Sequence, residues 1–259
     1  MAVLIDRREL LEKARQRNLN LQIIEKDYVL GWLLFGLSMF DSLLFKGGTA
    51  LSKIYFPHKW RLSEDLDFAF PGQDFETITN NLDKIFTDIK EKSGITFAVK
   101  NQFSNPYYLQ LKIRYDAILG RNWAKVDVTI ENPLDETNRM PLSQTYSDYP
   151  DFTVRIESLE EIFAEKLRAL VERTKCRDFY DIWRLCSTDF NNNKVIDLFQ
   201  QKCELKGIKF LGKDQFFKDN LLDILRPYWQ RELGRLLNPL PDLNELIAEL
   251  QVKLDFLQP

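Results

Sequence analysis

Histidine is nearly absent from this sequence, and its absence excludes two common kinds of active site. His58 is the only histidine among 259 residues. A Ser-His-Asp triad or a zinc site built from several histidines would depend on that one residue, so both classes are set aside. Cysteine is also scarce, since Cys176, Cys186 and Cys203 are an odd number without metal-type spacing. They give no disulfide framework and favour a reducing, cytoplasmic setting.

Long apolar runs and a strong net charge are lacking as well. The longest apolar stretch, residues 28–40, has 13 residues, whereas a membrane span needs about 20. This stretch predicts a buried helix and no membrane segment. Basic and acidic residues number 36 and 39, so any nucleic-acid surface has to be a local patch. With 44% hydrophobic and 29% charged residues, the composition is typical of a soluble globular protein.

The apolar periodicity predicts an α+β protein with a mixed sheet. The predicted helices of the first part cover residues 7–18, 22–40, 49–55 and 74–92. The predicted strands cover residues 42–46 and 66–70, with further strands between 95 and 131. The predicted helices of the last part cover residues 158–175, 178–187, 193–203, 214–236 and 242–257. The polar, Pro-containing segment 132–153 is expected to be a loop, which would separate a core domain (1–153) from a helical domain (154–259).

Two closely spaced aspartates suggest a metal site. Asp65 and Asp67 are two residues apart in a strand-like segment, so both should project from the same face. Adjacent carboxylates repel each other unless a cation lies between them, and Mg²⁺ prefers oxygen ligands. Asp127, on the polar side of a later strand, would complete a three-carboxylate site for two metal ions. One ion would activate the attacking hydroxyl and the other would stabilise the leaving pyrophosphate.

A Gly-Gly pair supplies the expected phosphate side of the site. Gly47 and Gly48 precede a predicted helix, where the backbone can approach a ligand closely and free N–H groups favour an anion. The hydroxyls of Thr49 and Ser52 could add donors. The order strand, Gly-Gly, helix, Asp-x-Asp strand and later Asp-bearing strand predicts phosphoryl-type transfer from a nucleoside triphosphate.

These segments resemble the AbiEii-type nucleotidyltransferases, which are toxins of abortive-infection and toxin–antitoxin systems within the DNA-polymerase-β-like superfamily. The resemblance lies in residues 45–53 (FKGGTALSK) and 61–68 (RLSEDLDF). It continues in residues 25–28 (EKDY), 165–170 (EKLRAL) and 177–182 (RDFYDI). It therefore implies a polymerase-β-like nucleotidyltransferase core.

The resemblance also implies roles for individual residues. The positions matched to Mg²⁺ or Mn²⁺ binding are Asp65, Asp67 and Asp127. The positions matched to nucleotide binding are Gly47, Gly48, Thr49, Ser52, Ser63 and Lys166, of which Lys166 would contact the phosphates. The last motif contributes a functional aspartate, which we assign to Asp181, with Asp178 in an ion pair. Lys166 and Asp181 would thus be contributed by the helical domain.

Family members join nucleotides to RNA, in some cases to tRNA acceptor ends, and so block translation. The resemblance accordingly implies a cytoplasmic phage-defence toxin that moves NMP from an NTP to an RNA 3′ end and is restrained by a cognate antitoxin. Two alternatives stay open. The acceptor could be a protein or a small molecule, or the chain could be an inactive nucleotide- or RNA-binding module.

Structural alternatives stay open for several of these residues. Asp127 could simply pair with Arg121 or Lys125, and Lys166 could lie on an exposed helix face. Aromatic residues that could stack on RNA or pack in the core are Trp60, Tyr107, Tyr108 and Trp123. Basic residues that would form an RNA patch only if they cluster are Lys53, Lys59, Arg61, Arg114, Arg121 and Lys125.

Overall fold

The protein divides into two compact units, and the division falls between Glu157 and Ser158. The computed structural model describes residues 5–257. A seven-stranded sheet with helices forms the first unit, and the second unit is helical. The predicted α+β class, with a mixed sheet followed by C-terminal helices, is confirmed. Among the described residues, no helix combines the length and hydropathy that a bilayer crossing requires.

The first unit combines α-helices with the strands of the sheet. Its helices are α1 (Arg7–Arg17), α2 (Leu21–Leu37), α3 (Gly47–Ala50), α4 (Glu76–Thr79) and α5 (Leu82–Ser93). Its strands are β1 (Leu44–Lys46), β2 (Asp65–Phe70), β3 (Thr96–Asn105), β4 (Tyr108–Ala117), β5 (Gly120–Ile130), β6 (Asn138–Pro141) and β7 (Thr153–Ile156).

The sheet is mixed, with the strand order β3-β4-β5-β2-β1-β7-β6. The β2–β5 and β1–β7 pairs are parallel, and the other neighbouring pairs are antiparallel. Every second residue of β4 and β5 is buried, including Leu111 and Val126. Because side chains alternate between the two faces of a strand, one face of these strands packs into the core. The other face carries polar side chains and is called the polar face below.

Three predicted elements of the first unit differ from the observed ones. The predicted helix 74–92 is interrupted between α4 and α5, where the Asn81 amide donates to the Thr77 carbonyl. Asparagine competes in this way with the regular helical pattern. The predicted helix 49–55 begins at Gly47 and continues as a π-helical turn, Leu51–Tyr55. The predicted loop 132–153 was wrong in one part, because it contains β6, which pairs with β7.

The second unit consists of helices, and its longest connection, between α8 and α9, contains a 3₁₀ turn. Its helices are α6 (Leu159–Glu172), α7 (Cys176–Leu185), α8 (Asn192–Leu205), α9 (Leu221–Leu233) and α10 (Leu243–Lys253). The N-cap half of the predicted capping box is present, since the Ser158 hydroxyl accepts a bond from the Glu161 N–H at 3.1 Å. The predicted helix 214–236 was wrong at its start, where a 3₁₀ turn, Lys213–Phe216, precedes α9.

A buried ion pair joins α2 to the segment that follows Gly-Gly. The Lys53 ammonium donates to the carboxylate and to the carbonyl of Asp27, each at 2.8 Å. Tyr146 donates to the other Asp27 oxygen at 3.0 Å. Both charged side chains are about 5% exposed, so each charge depends on its partner for stabilisation.

The neighbouring residues of the EKDY motif anchor α2 to other parts of the sheet. Glu25 accepts a bond from the Leu119 N–H at the turn between β4 and β5. Lys26 pairs with Glu64 at 3.8 Å, directly before β2. The EKDY motif was part of the family resemblance, but no role was assigned to it. Its contacts fix α2 against the strands that bear the carboxylates.

We predict that Lys53→Met destabilises the first unit strongly. The substitution leaves the Asp27 carboxylate buried without its cation, which costs about 3–5 kcal/mol. Urea unfolding at neutral pH measures this loss as a lower midpoint. Lys84→Met, on the exposed side of α5, is the control and should change stability by less than about 0.5 kcal/mol. A Lys53→Met midpoint equal to that of the control would contradict the importance of the pair.

Candidate active site

Three carboxylates lie together on the polar face of the sheet. In the parallel pairing of β2 with β5, Asp67 is the register partner of Asp127. Leu66 and Phe68, which alternate with Asp65 and Asp67, are buried at 0% and 3% exposure. Asp65, Asp67 and Asp127 therefore project from the same face, as the spacing predicted for the first two.

Lys125 lies among these carboxylates. It is the register partner of Asp65, and its ammonium is 2.6 Å from Asp127 Oδ2 and 3.9 Å from Asp65 Oδ2. Burial alone would lower the pKa of Lys125, but the hydrogen bond to Asp127 and the surrounding aspartate charges outweigh burial and raise that pKa. The ammonium is therefore charged and partly neutralises the carboxylates.

Two side chains of β4 hold the remaining oxygen of Asp127. Tyr108 donates its hydroxyl to Asp127 Oδ1 at 2.6 Å, and the Gln110 amide donates to the same oxygen at 3.0 Å. Burial and the bond to the carboxylate raise the pKa of Tyr108 to about 12. The phenol therefore stays protonated at neutral pH, and it fixes the orientation of the third carboxylate.

Gly47 brings the backbone against Asp67. Its φ is +75°, a left-handed conformation that favours glycine. A Cβ at this position would lie 2.7 Å from Asp67 Oδ2 and 3.2 Å from the carboxyl carbon. Two features therefore favour glycine at position 47. One is its left-handed backbone conformation, and the other is the Asp67 carboxylate, which leaves no room for a Cβ atom.

The hydroxyls predicted to assist phosphate binding donate within the fold. Thr49 donates to the Asp65 carbonyl, and Ser52 donates to the Thr49 carbonyl at 3.1 Å. Both side chains are buried, as is Ser63. The Thr49 bond ties the segment after Gly-Gly to the first residue of β2, so it positions the carboxylates directly.

An all-oxygen donor set of this kind fits a hard divalent cation. Asp65, Asp67 and Asp127 present carboxylates on one face, and one ammonium already bridges two of them. Mg²⁺ and Mn²⁺ prefer such ligands. Lys46, the register partner of Asp67 on β1, pairs with Glu131, which places a further cation beside the carboxylate row.

The second unit groups Lys166 with both aspartates of the last motif. The Lys166 ammonium is 3.1 Å from Asp178 and 2.9 Å from Asp181. Arg173 also pairs with Asp178, at 2.8 Å. Burial opposes ionisation of Asp178, but the charges of Lys166 and Arg173 lower its pKa to about 2. Lys166 is therefore not an exposed residue of an amphipathic helix, and Asp178 has the ion pair expected for it.

The helix containing Lys166 ends before Arg173. Arg173 has extended backbone (φ −149°, ψ 156°) directly after α6. Lys166 lies within α6 and Arg173 lies directly after it, and both contact the Asp178 carboxylate. Arg177 lies inside α7.

The candidate RNA-contacting residues fall into two groups. Trp60, Lys53 and Arg61 are buried and cannot form a surface. Trp123 is 39% exposed, with the ammoniums of Lys112 and Lys26 at 4.1 and 4.6 Å from its ring centre. Of the basic residues considered for an RNA patch, Lys53 and Arg61 are thus excluded, whereas Lys59, Arg114 and Arg121 are exposed.

The sequence offered Lys125 as a possible partner of Asp127, and that pair is observed, but the two partners on β4 were missed. Tyr108 and Gln110 follow the same alternating pattern as Lys112, so their position on the polar face was readable. Their contact with Asp127 depends on the β4–β5 register, which pairs Gln110 with Asp127. A pattern within one strand carries no register, so no local signal identified these contacts.

We predict that Gly47→Ala displaces the Asp67 carboxylate and weakens Mn²⁺ binding, which titration calorimetry measures. Gly207→Ala is the matched control, because Gly207 also has a positive φ, +63°, with no atom within 4 Å of the added Cβ. Both variants should lose about 1–2 kcal/mol of stability from backbone strain. Only Gly47→Ala should lose Mn²⁺ affinity, and equal affinities would contradict the close approach.

Comparison with known proteins identifies a family and a similar fold. Residues 32–255 match the family described as "Nucleotidyl transferase AbiEii toxin, Type IV TA system". The fold is similar to MenT4, a nucleotidyltransferase toxin from Mycobacterium tuberculosis H37Rv, with a TM-score of 0.77, 22% identity and coverage of 98% of this chain and 89% of that one. It is also similar to JHP933 from Helicobacter pylori, with a TM-score of 0.61, 21% identity and coverage of 92% and 93%. No curated protein sequence matches the chain significantly.

The resemblance drawn from the sequence motifs is thereby confirmed. The match spans both units of the chain and includes the Gly-Gly segment, the three carboxylates and the Lys166 motif. This chain belongs to the AbiEii family of nucleotidyltransferase toxins of type IV toxin–antitoxin systems.

Proposed function

We propose that the protein transfers NMP from an NTP to an RNA 3′ end, with the acceptor end of tRNA as the favoured target, in a Mg²⁺-dependent reaction in the cytoplasm. As a toxin it would be restrained by a cognate antitoxin protein. The observation that carries this proposal is the β2–β5 register, which sets Asp67 beside Asp127 with Gly47 against Asp67.

Each part of the first unit has a defined task in this reaction. Asp65, Asp67 and Asp127 would hold the divalent cations, which when bound neutralise the triphosphate and make the acceptor hydroxyl a better nucleophile. Gly47 and Gly48 would let the triphosphate approach the backbone. Tyr108 and Gln110 keep Asp127 in a fixed orientation, because catalysis by positioning depends on geometry held in advance.

The family motifs of the second unit support two further roles. Lys166 is proposed to contact the nucleotide phosphates, and Asp181 is proposed as the functional aspartate of the last motif. Asp181 is fully buried and 2.9 Å from the Lys166 ammonium. In this proposal it orients the lysine, while Asp178 divides its charge between Lys166 and Arg173.

An RNA acceptor is supported by exposed aromatic residues on the polar face. Phe103 of β3 is the register partner of Gln110, which is itself the partner of Asp127. Two strand spacings place Phe103 about 10 Å from Asp127 across the sheet. Phe103 is 57% exposed, and exposed aromatic rings on which bases can stack are typical of single-stranded nucleic-acid binding.

We predict that the purified protein transfers labelled nucleotide to total tRNA in the presence of Mg²⁺ and one or more NTPs. Asp67→Asn should reduce the rate at least about 100-fold, because it removes a carboxylate on which the metal ions depend. Asp116→Asn is the matched control, since Asp116 is an exposed carboxylate of β4 that pairs with Arg121. It should retain the wild-type rate.

The fate of the label separates the alternatives. Label that ribonuclease releases supports the RNA acceptor, whereas label that resists ribonuclease and is lost with protease indicates a protein target. No transfer with any NTP, together with equal toxicity of wild type and Asp67→Asn in cells, would contradict an enzymatic function.

We predict that Phe103→Ala raises KM for the RNA acceptor about five-fold or more, since a base–aromatic stack contributes about 1–3 kcal/mol. The affinity for the NTP should not change. Met39→Ala, which shortens an exposed apolar side chain between α2 and β1, is the control. Steady-state kinetics with varied RNA concentration measure the effect, and an unchanged KM would remove Phe103 from the acceptor surface.

A further inference from the structure

Lys125 occupies the place among the carboxylates where a cation is needed. Its ammonium contacts Asp127 Oδ2 at 2.6 Å and lies 3.9 Å from Asp65 Oδ2. This arrangement follows from two features of the backbone. Lys125 and Asp127 are two residues apart on β5, and Lys125 is directly opposite Asp65 on β2.

Both oxygens of Asp127 are already engaged by side chains of the protein. Lys125 donates to Oδ2, while Tyr108 and Gln110 donate to Oδ1. Each carboxylate oxygen has two lone pairs, so a metal ion bound by Asp127 has to displace one of these donors or share an oxygen with it. Lys125 is the one that competes electrostatically, because two cations at the same oxygens repel each other.

We infer that Lys125 is a resident counter-cation that holds the carboxylates together before the nucleotide binds and opposes metal binding until the triphosphate arrives. This inference rests on the metal site of the proposed function and adds its regulation. Once the polyanionic triphosphate is present, the displaced ammonium gains a new partner in a phosphate oxygen. Metal and nucleotide are then taken up together, and metal binding alone is weak.

The lysine side chain is suited to such an exchange. Its ammonium is a compact point charge on a flexible four-carbon stem, so it can change partners without moving the strand. Lys125 is 31% exposed, while Asp127 is 13% exposed, which leaves the lysine room to swing outward. The neighbouring amide and phenol of β4 hold Asp127 in place during the exchange.

A simple surface ion pair makes a different prediction. Such a pair contributes little to stability, and its removal would leave the Mg²⁺ affinity unchanged. A resident counter-cation instead weakens the binding of Mg²⁺ when no nucleotide is present. It strengthens the combined binding of Mg²⁺ and nucleotide, because the ammonium then contacts a phosphate.

The test compares Lys125→Met with Lys112→Met by thermal unfolding and Mg²⁺ titration of the full chain. Lys112 is the register partner of Lys125 on β4 and lies over Trp123, so it is a matched control. With EDTA, Lys125→Met should unfold several degrees below wild type, because the carboxylates lose their cation. With Mg²⁺ alone, it should bind the ion about ten-fold more tightly than wild type. Lys112→Met should respond to Mg²⁺ as wild type does.

Adding a non-hydrolysable NTP analogue with Mg²⁺ should reverse the order. Wild type should then be stabilised more than Lys125→Met, since only wild type supplies the ammonium to the phosphates. If Lys125→Met does not fold, Lys125→Arg provides the second variant. Its guanidinium binds carboxylates in a bidentate manner, so nucleotide-free Mg²⁺ affinity should fall below that of wild type.

Equal Mg²⁺ affinity in wild type, Lys125→Met and Lys125→Arg would overturn the inference. That result leaves the proposed function intact, because the metal would still bind. Absence of any Mg²⁺ response, with and without the NTP analogue, would contradict both the role of Lys125 and the metal site. Failure of RNA labelling, with the Mg²⁺ differences as predicted, would contradict the RNA acceptor alone.

Discussion

The parallel register between β2 and β5 is the constraint on which the rest of the site depends. It sets Asp67 beside Asp127 and Asp65 beside Lys125, so three negative charges and one positive charge share a small area of the sheet. Adjacent carboxylates repel one another. The ammonium of Lys125 and the hydrogen-bond donors of β4 offset this repulsion, and the backbone at Gly47 packs closely against Asp67.

The elements around this register hold it from several directions. Thr49 bonds to the first residue of β2, and Lys26 pairs with Glu64 just before that strand. Lys53 and Asp27 then join the segment after Gly-Gly to α2. Much of the polar structure in the first unit therefore serves to keep one strand in position, which is what a reaction that depends on alignment requires.

Local sequence patterns were sufficient for strands β1 to β5 and for the position of the aspartates. Period-two alternation placed Asp65 and Asp67 on one face, and it placed Asp127 on the polar side of β5, because side-chain direction in a strand follows from spacing alone. The same patterns failed at Asn80-Asn81, where the helix is interrupted, and at β6, whose four residues have no recognisable alternation. Propensity is weakest where short elements depend on their neighbours.

Contacts between distant segments could not be read from the sequence. The bonds of Tyr108 and Gln110 to Asp127 require the β4–β5 register, and the grouping of Lys166 with both Asp178 and Asp181 requires the turn after α6. The role of Lys125 was likewise open, since a lysine two residues from an aspartate is common on any strand. The contact of Lys125 with two carboxylates follows only from the β2–β5 register, which pairs Lys125 with Asp65.

In the proposed function, the three aspartates form one divalent-cation site for a nucleoside triphosphate. A crystal structure with Mn²⁺ and a non-hydrolysable NTP analogue tests this site, because anomalous scattering locates the ion. We expect Mn²⁺ peaks coordinated by Asp65, Asp67 and Asp127, with the Lys125 ammonium moved from Asp127 to a phosphate oxygen. Mn²⁺ bound elsewhere, with Lys125 still bonded to Asp127, would contradict it.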